Sequence, residues 1–408
     1  MNEGCINMKK HILVVSQYFY PEQFRINDIC QEWIKRGYRV TVITGIPNYP
    51  EGKFYAGYGF LKKRREKWQG IDIIRIPLIP RGKSKIGLVC NYLSFPISGF
   101  LWNLLTNIKA DYVFNFETSP MTQTLVAVWY AQKHNIPCYL YVQDLWPEAV
   151  ETVTGIHSPL VIKPLDEMVR YIYKRCDKIF CTSPSFVREI CKRGANQDKV
   201  YYWPQYAEDF YEPAERQNVS EIAVDDSFKI IFTGNIGYAQ GLDIIPKAAK
   251  ILKAKGENVK FYIVGDGRYK EQLLKDITDA EVETMVHLIG RHPAERVPEL
   301  LACCDVAYVS FMNDALFAKT IPAKVQSYMA CGMPILAASE GETNRIVQKA
   351  DCGLCSHIGD EVKLAENVQK MMLMEPDELE RMGKNARKFS MKYFSKQVLM
   401  DKMDEHFA

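Results

Sequence analysis

The sequence has no large excess of either charge. Its 52 Lys and Arg are nearly matched by 49 Asp and Glu, leaving a formal +3, too weak by itself to mark a nucleic-acid binder. Twelve cysteines are present, but no framework spacing organises them, which excludes a disulfide scaffold and suits a reducing compartment. Only Cys352 and Cys355, in "CGLC", share a CxxC spacing. No second pair and no thioredoxin-like start accompanies them, so a metal or redox role is the minor alternative. The opening "MNEGCINMKK" has neither an apolar core nor a cleavage site, so no signal peptide is expected. Met8 is a candidate start, because "MKKHILVVSQ" leads directly into a strand. No GxGxxG follows a first strand, which argues against a nicotinamide or flavin enzyme. Short-period repeats and low-complexity tracts are also missing.

What is present is ordinary soluble composition, 47% apolar and 25% charged over 408 residues, enough chain for two domains. Buried-type strands alternate with helices. "HILVVSQYF", "RVTVITG", "DYVFNFE", "CYLYVQD" and "KIFCTS" are strands of the first half; "FRINDICQEWIKRG", "TQTLVAVWYAQKHN", Val161–Arg175 and "VREICKRGA" are helices. The pattern lapses near Pro204–Ser227 and restarts with "FKIIFTG", "VKFYIVG", "VHLIGR", "DVAYVSF" and "PILAAS". Continuous apolar strands separated by helices indicate parallel sheets covered on both faces. The expected fold is α/β, two Rossmann-like doubly wound domains facing across a cleft. The boundaries are 1–205 for an N-terminal Rossmann-like domain, 206–227 for a linker, 228–385 for a C-terminal Rossmann-like domain, and 386–408 for a C-terminal helix packing back toward the first domain.

Ligands of such sheets bind at the C-terminal strand ends. "FTGNIGYAQG" places Gly234, Asn235, Gly237, Gln240 and Gly241 there, and "IVGDGRYKEQL" places Gly265, Asp266 and Gly267. Glycine turns before helix starts suit phosphate. "AKTIPAKVQSYMACG" adds Lys319, Thr320, Lys324 and Ser327 around a helix start, where a diphosphate gains hydrogen bonds and a favourable dipole. The alternative is two solvated lysines on a buried helix; the three loops together point to a nucleotide diphosphate.

The segment Ile86–Leu105 has no charged residue and is long enough to span a bilayer. Its polar Asn, Ser, Gly and Pro positions, and the basic residues Arg81, Lys83 and Lys85 before it, favour contact with an anionic membrane surface instead. Lys62, Lys63, Arg64, Arg65, Trp68, Leu88, Phe95 and Phe100 are the expected contact residues. A buried helix and a true span are the alternatives, and the basic run alone also reads as a solvated loop.

As an ordered set, "KRGYRVTVIT", "FTGNIGYAQGLDIIPKA", "YIVGDGRYKEQL", "LIGRHPAERVPELLACCDVAYVS" and "YMACGMPILAASEGE" resemble the family 4 glycosyltransferases of GT-B fold over nearly the whole chain. "YVQDLWPEAV" and "IPAKVQSYMACG" resemble the WbuB-like subgroup of bacterial O-antigen and capsule enzymes, which carries an N-acetyl-L-fucosamine transferase label. The resemblance implies a retaining, metal-independent hexosyltransferase with no cofactor. Its donor is a nucleotide-diphosphate sugar, taken to be a UDP-sugar, and its acceptor a polyprenyl-diphosphate-linked saccharide. It implies a cytoplasmic protein, peripheral on the inner membrane, with no nucleic-acid partner. Two family glutamates fall on Lys319 and Ser327, and the usual Arg and Lys of the first C-domain turn on Asn235 and Gln240. Lys319 is left to contact phosphate or sugar hydroxyls. A family histidine has no clear counterpart; Asp144 and Glu148, beside Gln143 in "QDLWPE", are the candidate N-domain groups for orienting sugars, with a helix N-cap and a surface acid as the alternative. Glu22 and Arg25 of "YFYPEQFR" are assigned to the acceptor side. A nucleotide-sugar epimerase of the same fold and a catalytically silent scaffold in a polysaccharide assembly complex are the competing functions.

Overall fold

The computed structural model describes residues 9–82 and 84–407; the candidate start at Met8 and the basic residue Lys83 lie outside them. Contacts divide the chain into two units. The first takes in the chain to Thr182, Phe186–Trp203 and the residues from Asp404; the second comprises Ser183–Ser185 and Pro204–Met403.

The first unit begins with β1 (Lys9–Val15), α1 (Arg25–Lys35), β2 (Tyr38–Thr44), β3 (Arg65–Trp68), β4 (Ile71–Arg75) and α2 (Lys85–Leu105). It continues with β5 (Tyr112–Glu117), α3 (Thr124–His134), β6 (Cys138–Val142), α4 (Glu148–Thr154), α5 (Pro159–Arg175), β7 (Lys178–Cys181), α6 (Pro184–Lys192) and β8 (Val200–Tyr202). Its sheet runs β3-β4-β2-β1-β5-β6-β7-β8. Every pairing is parallel except β3 with β4. All residues of β5 and β6 are buried, as expected of central strands covered on both faces. The order reverses between β1 and β5, the switch point at which such sheets bind ligands.

The run "KKRREKW", expected to lie on a membrane, is partly edge strand. Glu66 and Trp68 of β3 alternate with the more exposed Arg65 and Lys67. Trp68 stacks on Tyr20 at 4.3 Å and meets Phe19 edge-on, so it packs within the unit rather than against a bilayer. Arg64 donates to the carbonyls of Arg75 (2.5 Å) and Phe60 (3.0 Å), which holds the strand start in place. Phe95 of α2 is 0% exposed and is likewise core, not membrane contact; Leu88 is half-buried and Phe100 remains exposed.

The second unit contains β9 (Phe228–Thr233), α7 (Ile244–Ala254), β10 (Val259–Val264), α8 (Lys270–Asp279), β11 (Val286–Gly290), α9 (Val297–Ala302) and β12 (Val306–Ser310). It then adds α10 (Ala323–Ala330), β13 (Ile335–Ala338), α11 (Glu342–Ala350), β14 (Gly353–Ser356), α12 (Glu361–Met372), α13 (Pro376–Tyr393) and α14 (Lys396–His406) as far as Met403. The sheet is parallel throughout, in the order β11-β10-β9-β12-β13-β14. Its two faces carry separate cores: Ile230 and Phe232 of β9 point into one, Ile231 into the other.

Two expected boundaries shift. The segment 206–227 is tied to the second unit rather than free: Arg216 bonds Cys303 O at 3.0 Å, Ala223 N–H donates to Tyr262 Oη at 3.1 Å, and Ile222 is buried in the core. Nor does a separate element start at 386, since α13 passes through it unbroken. Only the chain end belongs with the first unit, where Phe407 is buried beside Trp33 and its carbonyl accepts from Tyr112 Oη at 3.0 Å. The CxxC pair also proves structural. Cys355 lies in β14, and burial pushes the Cys352 thiol up to about 12 and the Cys355 thiol up to about 11, leaving both protonated and inert.

Candidate functional site

In the second unit, β9 empties into Gly234, the strand end nearest the switch from β10 to β12. Helix α10 is pinned over it: Thr233 N–H donates to Tyr328 Oη at 2.8 Å. Lys324 lies four residues before Tyr328, so both share one helix face. Its ammonium therefore sits 3.8 Å from the Phe232 ring centroid, donates to Gln240 Oε1, and lies 3.6 Å from where a Cβ on Gly234 would stand. No carboxylate pairs with it among the described residues. Burial pushes its pKa from 10.5 down to about 7. This is a cation held in an apolar and amide setting, open to an anion.

The glycine turns serve mainly to let loops touch. A Cβ on Gly265 would stand 1.8 Å from Gly234 O, and one on Gly267 2.2 Å from Ile236 O. Gly265 also takes φ +145, a conformation nearly reserved for glycine. The N–H groups of Gly234 and Gly265 donate to Val264 O and Gly290 O, so these two are not the phosphate donors expected. Asn235 and Asp266 remain exposed at the rim, with Asp266 facing Lys270 at 3.7 Å. Gly241 adopts φ +56 against Phe311 O, while Ser310 Oγ donates to Gln240 O at 2.6 Å, fixing the loop that presents Gln240. Gly237 opens the 3-10 turn there.

Lys319 and Thr320 lie on the strap before α10, and the structure presses that strap onto the turn after β13. A Cβ on Gly341 would meet Ala318 O at 1.9 Å, and Thr343 Oγ1 donates to Thr320 O at 3.4 Å. Glu340 and Glu342 flank this contact, acids the sequence pattern did not single out. Ser327 is 7% exposed and its hydroxyl returns to Ala323 O at 3.3 Å; the helix uses it, and it is not presented to a ribose.

In the first unit the candidate residues separate. Glu22 is 2% exposed and accepts N–H bonds from Asn48 and Tyr49, both 2.7 Å, and a longer one from Phe19. It ties two loops together rather than facing an acceptor. Burial raises its pKa to about 7. Arg25 opens α1, half-buried. Glu148 is held by Arg193 at 2.7 Å, and the same guanidinium reaches Asp166 at 2.8 Å. That ion-pair network makes Glu148 a structural acid.

Asp144 does not cap α4, whose N-cap is Pro147. It accepts from Ser119 N–H and Oγ at 2.8 Å each, shaping the turn after β5. Gln143 N–H donates to Glu117 O at 2.8 Å. Glu117 itself was not foreseen. It ends β5 fully buried, with Oε1 unpartnered among the described residues. Burial, then the Asp144 charge, holds its pKa well above the carboxylate range. The acid closing the apolar run "YVFNFE" was the available signal.

Two family models match consecutive halves of the chain. The model described as Glycosyltransferase Family 4 matches residues 24–205, and Glycosyl transferases group 1 matches 214–389. The chain is a family 4 glycosyltransferase of GT-B fold. Among relatives of this glycosyltransferase is a Pseudomonas aeruginosa protein bearing the glycosyltransferase name WbjE. It is 24% identical over 64% of this chain and 66% of its own length, just under two thirds. An Escherichia coli K12 protein bearing a colanic acid biosynthesis glycosyl transferase name, WcaI, is 24% identical over 81% of this chain and 84% of its own. Anabaena HepE, solved in complex with UDP, shares the fold at 14% identity with a TM-score of 0.68, over 98% of this chain and 99% of that one.

Proposed function

We propose that this glycosyltransferase moves a hexosyl group from a UDP-sugar to a lipid-linked saccharide during bacterial surface-polysaccharide synthesis, with retained anomeric configuration and no metal ion. The observation that carries the donor assignment is the half-buried Lys324 ammonium at the end of β9, which bonds Gln240 and meets no carboxylate among the described residues. A diphosphate is the anion that such a cation, beside a parallel-sheet switch point, is suited to hold. The WcaI name and the UDP complex of HepE support the reaction class and the nucleotide. N-acetyl-L-fucosamine is the sugar to which the subgroup resemblance points.

In this reaction the bond from the anomeric carbon to the β-phosphate oxygen breaks. The acceptor hydroxyl attacks from the same face, and its proton passes to the departing phosphate. Lys324 meets the charge that develops on the diphosphate, and Lys319, on the strap before α10, is assigned to the same phosphates; stabilisation of this kind is commonly worth about 3 to 4 kcal/mol per group. The test is transfer itself. Acceptor-bearing membranes are incubated with the protein and labelled nucleotide sugar. Label entering lipid supports transfer, altered free nucleotide sugar supports an epimerase, and unchanged donor supports a scaffold.

A further inference from the structure

Beyond Lys85, helix α2 carries no charged side chain. One side of it belongs to the first unit's core. Phe95 is buried, Asn91 accepts from Gln17 Nε2 at 2.8 Å and donates to Ile79 O at 2.7 Å, and a Cβ on Gly99 would come within 2.3 Å of Val126. A helix held by one face in this way does not cross a bilayer, although α2 alone among the described helices is long and apolar enough to do so.

The opposite side carries Ile86, Val89, Leu93, Ile97, Leu101 and Leu104, each between 52% and 78% exposed. They recur every three or four residues and form one stripe. A contiguous apolar stripe of this length is unusual on a surface that meets only water. Cations border it. A groove of about 660 Å³ has Arg64 and Arg65 among its lining residues together with Leu101, Trp102 and Leu105. Lys62, Arg65 and Lys67 are exposed and have no carboxylate partner among the described residues. Leu61, between Phe60 and this basic run, is 95% exposed.

We propose that this face docks the protein on an anionic phospholipid bilayer, with the α2 stripe among the acyl chains and Lys62, Arg65 and Lys67 over the headgroup phosphates. Apolar residues rimmed by unpaired cations match that surface in both chemistry and charge. The inference does not depend on the transfer reaction.

The test is co-sedimentation of the full chain with phosphatidylcholine vesicles and with vesicles also containing phosphatidylglycerol, at low and high salt. The protein pellets with the anionic vesicles, more strongly at low salt. Replacing Lys62, Arg65 and Lys67 by Ser weakens this about fivefold per residue and flattens the salt dependence. Leu93→Glu with Ile97→Glu abolishes pelleting, and Leu104→Glu with Leu105→Glu repeats the result at the other end of the stripe. Circular dichroism and the heat of UDP binding stay unchanged in every variant, which separates docking from the donor site. Failure of the wild type to pellet with anionic vesicles at low salt overturns the proposal. So does wild-type pelleting of the glutamate variants. A dimer that those variants dissolve while vesicle binding persists assigns the face to a second copy instead.

Discussion

Lys324 offers the sharpest test because its charge is costly where it sits. Burial moves its pKa from 10.5 to about 7. At about 1.4 kcal/mol per unit, that gap is at most roughly 5 kcal/mol, less whatever water reaching the half-buried side chain returns. For a base with a depressed folded pKa, the unfolded chain binds more protons between about 7 and 10.5. Stability of the ligand-free protein therefore rises with pH across that window and is lowest below it. A diphosphate supplies the missing counter-charge and restores the ammonium. Above about pH 7, UDP binding then takes up a proton, and affinity falls by as much as about tenfold per pH unit. Calorimetry near pH 8 in two buffers of different ionisation heat counts that proton directly. Lys324→Met abolishes the uptake, flattens the pH profile and weakens UDP about 10- to 100-fold near pH 7. Tight wild-type binding with no proton taken up, or equal uptake in the Met variant, refutes the reasoning.

Three stability predictions accompany it. Glu22 has its folded pKa raised from 4.5 to about 7, so the folded state holds the extra proton and stability falls from about pH 4.5 to 7, by up to roughly 3 kcal/mol. Glu22→Gln flattens that fall in urea titrations near pH 5 and 7; parallel slopes would sink the assignment. Gly265→Ala, forced to φ +145 with its Cβ 1.8 Å from Gly234 O, costs about 2 to 4 kcal/mol, read as a lower urea midpoint. Arg193→Met strands Glu148, leaves Asp166 with Arg170 alone, and costs about 2 to 3 kcal/mol after allowing for their partial exposure, while Glu148→Gln keeps kcat within about twofold. A large kcat loss in Glu148→Gln at unchanged stability would return that acid to the substrate.

The strands were legible where burial is two-sided. "YVFNFE", "CYLYV", "VAYVS" and "ILAA" are apolar runs of strand length, and all four are fully buried. One-sided elements were not. β3 alternates charged and packed residues on an edge, and a charge run shows no sign of the β4 pairing that makes it a strand. β14 is short and hid behind its cysteine spacing. On α2 the composition signalled an apolar helix, but only the fold separates core Phe95 from exposed Leu93 and Ile97.

The site was legible by element and not by side chain, because spacing in sequence says which loops meet and not which atoms within them are already engaged. Gly234 and Gly265 lie at the expected strand ends, yet their amides close the sheet. Glu22 and Glu148 are acids near strand ends, yet backbone amides and Arg193 engage them. Lys324 differs because nothing of opposite charge among the described residues reaches it. The turn after β9 carries Asn235 and Gln240 where the family resemblance implies cations, and the ammonium arrives from α10 to bond that same Gln240. If the phosphate-binding charge has moved from the loop to the helix, substituting Gln240 by Lys would put two cations at one point. The second would further depress the first, as like charges do, so Gln240→Lys gives no gain in UDP affinity beside Lys324 but restores part of it in Lys324→Met. That non-additivity distinguishes one shared anion position from two independent basic patches.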